Sequence, residues 1–120
     1  MEGPADFRYR WTYPEFSILL PAGTTGIKFH GMVPQYPAVE NGKSIKLIMG
    51  DEEVGKEVFS SRYGNWDTFQ INLVQPIVKD TYGIFKLNYY YCPQDYGQSQ
   101  DSRKLGITVS KIDFIKNNGL

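Results

Sequence analysis

The chain has 120 residues, of which 41% are hydrophobic and 22% charged, which is the size and composition of one globular domain that folds without metal or disulfide cross-links. Thirteen basic residues balance thirteen acidic ones, so the surplus of positive charge that drives non-specific binding to nucleic acid or anionic lipid is missing. We therefore expect no nucleic-acid partner. No apolar run reaches the length of a membrane span and the first residues lack an export signal, so we expect no membrane insertion.

Two further features of the composition stand out, a single cysteine and many aromatic residues. Cys92 has no partner for an intramolecular disulfide, which favours a cytoplasmic location, with association with the cell surface as the alternative. Aromatic residues make up 15% of the chain and include nine tyrosines, which are common in strands and at binding surfaces.

Apolar residues recur at every second position in short runs, the pattern of half-buried strands. Residues 7–13 place four aromatic rings on one face of a first strand, those of Phe7, Tyr9, Trp11 and Tyr13. Pro14 ends or bends this strand, a second follows over residues 16–20, and a third over residues 27–31.

The middle of the chain predicts a long irregular connection and then a hairpin. Two prolines and the Asn41-Gly42 pair make residues 33–43 a loop that ends in a turn. Strands over residues 45–49 and 54–59 flank a tight turn. A polar bridge at residues 60–65 leads into a strand that starts at Trp66 or Thr68.

The last third predicts two strands around a polar loop at residues 92–104. The first strand covers residues 84–91, and the second covers residues 105–115. Val109 and Ile112 have opposite parity in the final strand, which indicates a β-bulge.

These elements predict an all-β fold, a two-sheet antiparallel β-sandwich of jelly-roll type with about eight strands. One domain spans residues 1–120, with an ordered core over about 6–116 and a frayed end at 117–120. We expect aromatic rings to fill part of the core, namely those of Tyr9, Trp11, Tyr89 and Tyr91.

The sequence offers little for catalysis, and we expect a protein that is not an enzyme and needs no cofactor or metal. His30 is the only histidine, lies mid-strand, and has no nucleophile elbow to serve. A glycosidase would need two facing carboxylates, for which Glu15, Asp67, Asp95 and Asp101 are available. The acidic residues 51–53 favour a solvated hairpin turn over a calcium site, because the alternating ligand spacing of a calcium loop is missing.

Eight residues stand in a fixed order before and at the start of the last predicted strand: Pro93, Gly97, Ser99, Asp101, Arg103, Leu105, Gly106 and Ile107. This order resembles the closing motif of small β-sandwich domains appended to bacterial glycosyltransferases and other proteins of cell-surface polysaccharide biosynthesis. The resemblance implies a non-catalytic, carbohydrate-associated accessory domain whose partner is a glycan or a glycan-assembly protein. Asp101 and Arg103 project from one side of the loop, either as an ion pair that pins the loop to the sandwich or as ligand contacts.

Three aromatic residues are candidates for contact with a sugar, because Tyr and Trp combine an apolar face with a polar edge. Tyr90 alternates with two core-facing tyrosines and must point outward. Trp66 and Tyr96 lie in or beside polar loops, and Asp95 adjoins Tyr96. The predicted ligand-binding residues are therefore Trp66, Tyr90, Asp95, Tyr96, Asp101 and Arg103.

Two functions remain open from the sequence. The first is a carbohydrate-binding or carbohydrate-associated module with a polar groove and an exposed ring. The second is a protein-interaction or scaffolding domain that docks a partner chain, or a second copy in a homodimer, through a flatter and more apolar patch.

Overall fold

The computed structural model of the chain describes residues 10–59 and 63–116. Predictions for Phe7, Tyr9, residues 60–62 and residues 117–120 lie outside these ranges. The described chain forms eight strands and one short 3-10 helix. The strands are β1 (Arg10–Trp11), β2 (Glu15–Leu20), β3 (Thr24–Met32), β4 (Ser44–Met49), β5 (Glu52–Val58), β6 (Trp66–Asn72), β7 (Thr81–Leu87) and β8 (Thr108–Lys116), and the 3-10 helix is Pro93–Tyr96.

The strands form two four-stranded antiparallel sheets, with the orders β1-β8-β3-β6 and β2-β7-β4-β5. Only the hairpin between β4 and β5 joins neighbours within one sheet, and every other connection passes from one sheet to the other. This connectivity is that of a jelly roll. The predicted all-β, two-sheet antiparallel sandwich of jelly-roll type is therefore confirmed.

The core lies between the two sheets and is built from alternate residues of the central strands. Its completely buried hydrophobic side chains are Leu20, Ile27, Phe29, Ile45, Leu47, Ile71, Phe85 and Ile107. The ring of Phe85 stacks on Phe16 from the same sheet at 5.3 Å and meets the edge of Phe29 from the other sheet at 5.4 Å. These rings join the sheets into one core.

The bulge predicted in the last strand is present. His30 pairs with Lys111 and Gly31 pairs with Val109, so Ser110 is an extra residue in β8. The extra residue changes the parity of the strand and returns Ile112 to the side of the core, against which Val109 also packs. Gly31 permits the close approach, since a Cβ atom there would lie 1.9 Å from the carbonyl oxygen of Thr108.

The strand predicted over residues 84–91 instead covers Thr81–Leu87. It ends there because the side chain of Asn88 turns back to its neighbour strand, accepting a hydrogen bond from the amide of Ser44 at 2.9 Å and donating one to the carbonyl of Gly42 at 3.1 Å. The final strand likewise begins at Thr108 instead of Leu105. Residues 88–107 therefore lie outside the two sheets and form one end of the sandwich.

Candidate functional site

The loop of residues 92–104 carries four of the predicted site residues at one end of the sandwich. Its 3-10 helix ends at Gly97, which adopts a left-handed conformation with φ of 68°. The amide of Gln94 donates to the carbonyl of Asp101 at 3.0 Å, which closes the loop on itself. Tyr91 and Leu105 exchange two backbone hydrogen bonds of 2.7 Å at its base, so the loop leaves and re-enters the sandwich at one point.

Four aromatic rings lie in a row beside this loop, and we call Trp11, Tyr91, Tyr96 and Tyr36 the aromatic row. Successive ring centroids are 5.6 Å apart from Trp11 to Tyr91, 6.0 Å from Tyr91 to Tyr96, and 4.7 Å from Tyr96 to Tyr36. Tyr36 and Tyr96 are nearly parallel, with an angle of 14° between their planes. Trp11 comes from β1, Tyr36 from the loop of residues 33–43, Tyr96 from the loop of residues 92–104, and Tyr91 from the base of that loop.

Part of the aromatic row is open to solvent. The side chains of Tyr36 and Tyr96 are each 39% exposed, whereas Trp11 and Tyr91 are half-buried. The hydroxyl group of Tyr91 donates to the side-chain carbonyl of Gln98 in the loop. Burial and the neighbouring phenol groups of Tyr36 and Tyr96 raise the pKa of Tyr91 above its ordinary value.

This row corrects the predicted core. Tyr89 is buried as expected, at 7% exposure, and its hydroxyl donates to the carbonyl of Gly106 at 3.0 Å. Trp11 and Tyr91 were also predicted to fill the core, but they pack on each other at the end of the sandwich. The reason is that β1 has only two residues and β7 stops at Leu87, so both rings lie beyond the space between the sheets.

Asp101 and Arg103 form an ion pair within the loop. The Arg103 Nε atom lies 3.0 Å from Asp101 Oδ1 and Nη2 lies 2.8 Å from Oδ2, a two-pronged arrangement that the Arg103 amide reinforces by donating to Oδ1 at 3.0 Å. The hydrogen bond from Arg103 lowers the pKa of Asp101 to about 2. The amide of Asp101 donates to Ser99 Oγ at 3.0 Å, so the spacing Ser-x-Asp-x-Arg sets the shape of this segment.

The ion pair therefore differs from the expected clamp in one respect: it joins two residues of the loop and does not reach the sandwich. Backbone contacts make that attachment instead, because the amide of Gly106 donates to the carbonyl of Thr12 at 2.8 Å. A Cβ atom on Gly106 would lie 2.7 Å from the carbonyl oxygen of Tyr13. The glycine of the Leu-Gly pair is thus needed for close packing against the chain after β1.

Asp95 and Tyr90 each adjoin a member of the aromatic row in the sequence. Asp95 is exposed on the 3-10 helix. Tyr90 is 46% exposed and points away from Tyr89 as predicted, but the ammonium group of Lys104 lies 5.0 Å from its ring centre and covers one face.

Trp66 lies across the first sheet from the aromatic row. It is 45% exposed, and it shares one line across that sheet with Trp11, because Trp66 pairs with Met32, Met32 with Thr108, and Thr108 with Trp11. Three strand spacings separate the two tryptophans, or about 14 Å. Trp66 therefore lies at the same end of the molecule as Tyr96 but outside the row.

A buried lysine holds the loop that carries Tyr36. Lys43 has no exposed surface, and its ammonium group donates to the carbonyl of Pro34. The rings of Tyr63 and Tyr89 lie 4.7 and 4.9 Å from its nitrogen, where they stabilise the charge. Burial lowers the pKa of Lys43 to about 8.

The histidine and the acidic turn considered in the sequence have ordinary surroundings in the structure. His30 lies 2.7 Å from Asp113 through its Nε2 atom and is partly exposed, the ordinary hydrogen-bonded state expected for it. Within residues 10–59 and 63–116, no three His, Cys, Asp or Glu side chains are grouped to hold a metal ion. The acidic residues 51–53 are exposed at the β4–β5 hairpin.

Sequence reasoning missed three members of the aromatic row as site residues. Tyr36 stands in an irregular loop, and the criterion that selected Trp66 and Tyr96 would have selected it as well. Trp11 and Tyr91 were assigned to the core because they continue alternating patterns, and no local signal marks where those strands end.

None of the helical segments in the described ranges has the length and hydrophobicity needed to cross a membrane. Comparisons of the chain with protein-family models, with curated proteins and with solved structures find no match. The resemblance of residues 93–107 to accessory domains of polysaccharide biosynthesis therefore stays a prediction.

Proposed function

We propose that the chain is a non-catalytic carbohydrate-binding module and that the aromatic row is its sugar-binding surface. The observation that carries this proposal is the pair of stacked, partly exposed rings of Tyr36 and Tyr96 within a row of four rings. Sugars present flat faces of C–H groups, which pack on aromatic rings, and hydroxyl rims, which need hydrogen-bonding partners.

The row is held in place before any ligand binds. Tyr96 packs between its neighbours Tyr36 and Tyr91 in the row, and Gln98 accepts a hydrogen bond from Tyr91. Rings that are already ordered lose little conformational entropy on binding, so more of the contact energy appears as affinity.

Arg103 supplies the polar part of the proposed site. Two of its nitrogens are engaged by Asp101, and the side chain remains 58% exposed. A guanidinium group has five N–H donors, so donors remain for a sugar hydroxyl after the ion pair is made. In this proposal Asp101 positions Arg103, while Arg103 and the tyrosines contact the ligand.

The alternative function, a protein-interaction domain, is favoured by a different part of the molecule. A groove of about 540 Å³ lies at the opposite end, between the β4–β5 hairpin and the connection from β6 to β7. Val74 and Val78 beside it are 90% and 93% exposed. Nothing on the chain identifies what would cover these side chains, so the aromatic row carries the proposal.

A glycan array screened with the purified domain tests the proposal. We expect a saturable hit that Tyr96→Ala and Tyr36→Ala each weaken at least about tenfold, the effect of about 1.4 kcal/mol of lost contact. Trp66→Ala and Tyr90→Ala show whether the surface extends across the sheet or around the loop.

Tyr82→Ala is the matched control, because Tyr82 is 66% exposed at the start of β7, far from the row. All variants are compared at equal folded fraction by thermal unfolding. An array without hits, or a hit that persists in both Tyr36→Ala and Tyr96→Ala, contradicts the proposal and favours the interaction domain.

A further inference from the structure

Three lysines lie side by side on the outer face of the second sheet. Lys46 on β4 pairs with Lys56 on β5 and with Lys86 on β7. Directly paired residues of antiparallel strands point to the same face, with Cβ atoms about 5 Å apart. We call these three residues the lysine row, and it is separate from the aromatic row.

The charges of the lysine row are only partly balanced. Lys86 has a carboxylate partner, Glu15, at 3.5 Å. Lys46 and Lys56 form no ion pair with any residue in the described ranges. Like charges directly opposite on neighbouring strands destabilise a sheet. The central residue, Lys46, has a like charge on both sides, and a bound anion would offset this repulsion.

A shallow groove of about 390 Å³ lies over the lysine row. Its lining is mainly polar and includes three lysines and one glutamate: Ser44, Lys46, Glu53, Lys56, Lys86, Leu87 and Asn88. The side chain of Asn88 is already hydrogen-bonded to the backbone, so the three ammonium groups are the charged donors that the groove offers a ligand.

We propose that the lysine row binds a single oxyanion, a carboxylate, sulfate or phosphate group carried by an otherwise uncharged ligand. Ammonium groups on three adjacent strands provide charge-assisted hydrogen bonds to several oxygens of such a group. Two carboxylates limit the area of positive charge: Glu15 lies beside Lys86, and Glu53 lines the groove. Nucleic acid carries a charge every few ångströms and would bring phosphates against these glutamates, so the row suits one isolated anion.

The test is an NMR titration of the intact chain with sodium sulfate, with sodium chloride held at matched ionic strength. We expect saturable shifts at Lys46, Lys56 and Lys86, and about a tenfold loss of sulfate affinity in Lys46→Gln. Parallel titrations with acetate and phosphate distinguish the carboxylate, sulfate and phosphate sources of the anion.

Lys79→Gln is the matched control, since it removes the same charge outside the groove, on the connection from β6 to β7. A second readout separates binding from folding: without sulfate, Lys46→Gln should melt at the same temperature as the unsubstituted chain or higher, and it should lose the stabilisation that sulfate provides. Shifts that grow linearly, or that Lys79→Gln alters as much as Lys46→Gln does, overturn the proposal. Binding of a short DNA duplex through the lysine row, tighter than sulfate, overturns the assignment to a single oxyanion.

Discussion

At the scale of single residues, Lys43 shows how the loop beneath the aromatic row is held. An ammonium group with no exposed surface loses its hydration, and the carbonyl of Pro34 with two tyrosine rings replaces only part of it. The consequence is a pKa of about 8 instead of 10.5. Lys43 is therefore a titratable group in the core that is hydrogen-bonded to the loop carrying Tyr36.

The lowered pKa of Lys43 predicts that the free energy of unfolding changes with pH in the alkaline range. Between about pH 8 and pH 10 the unfolded chain keeps the proton that folded Lys43 has lost, so the free energy of unfolding rises with pH, by about 2 kcal/mol. Above pH 10 the raised pKa of buried Tyr89 acts in the opposite direction, because the unfolded chain then releases a proton first. Urea unfolding at several pH values measures the curve.

Lys43→Met is the control for this measurement, since it removes the titrating group and fills similar space. The difference between the two chains isolates Lys43 from the other groups that titrate in this range. An equal pH dependence in both chains would show that Lys43 does not carry the effect.

At the scale of elements, the segment of residues 99–103 behaves as a preformed unit. Ser99 and Arg103 both bind Asp101, and the ion pair is exposed. Since the pKa of Asp101 is lowered, from 3.8 to about 2, the contribution of the pair is present above pH 3.8 and is lost as the pH falls through about 2.

We expect the carboxyl carbon of Asp101 to titrate near pH 2 by NMR, well below the ordinary value of 3.8. Arg103→Gln should return the midpoint of Asp101 toward its ordinary value, because the hydrogen bond from Arg103 is the largest cause of the shift. A midpoint that Arg103→Gln does not move would contradict the ion pair as the organiser of the loop.

The bulge in β8 is a second structural element whose energetics can be tested. Gly31→Ala would place a Cβ atom 1.9 Å from the backbone of Thr108, and backbone cannot move aside as a side chain can. We expect a loss of about 3 kcal/mol in the free energy of unfolding, measured by chemical denaturation.

Gly26→Ala in the same strand provides the comparison, because its Cβ atom would approach its nearest neighbours only to 3.3 Å. If Gly26→Ala lowers the free energy of unfolding less than Gly31→Ala does, the destabilisation at Gly31 is due to the close approach at the bulge. Equal losses in the two variants would show that the entropy of glycine, and not the close approach, decides the result.

At the scale of the whole molecule, the jelly-roll topology places the aromatic row, the apolar groove and the lysine row on different parts of the surface. The loops that follow β3 and β7 meet at one end and bring the aromatic row together, while the β4–β5 hairpin and the connection from β6 to β7 form the opposite end. The lysine row lies on the outer face between these ends.

Local patterns in the sequence were sufficient to predict much of this arrangement. Alternation of apolar residues is a property of neighbours along the chain, so it predicted the strands, the jelly-roll sandwich and the bulge near Val109. The loop of residues 92–104 was also recognised, together with Asp101 and Arg103 as one unit. The ligand of this loop stays a prediction.

Tertiary structure alone decided which residues of distant segments became neighbours. Trp11 and Tyr91 meet because β1 and β7 stop short, and those ends depend on pairing partners far along the chain. Lys46 and Lys86 are side by side because the register between β4 and β7 aligns them. Register is set by long-range burial of a shared core face, which no short window of sequence contains.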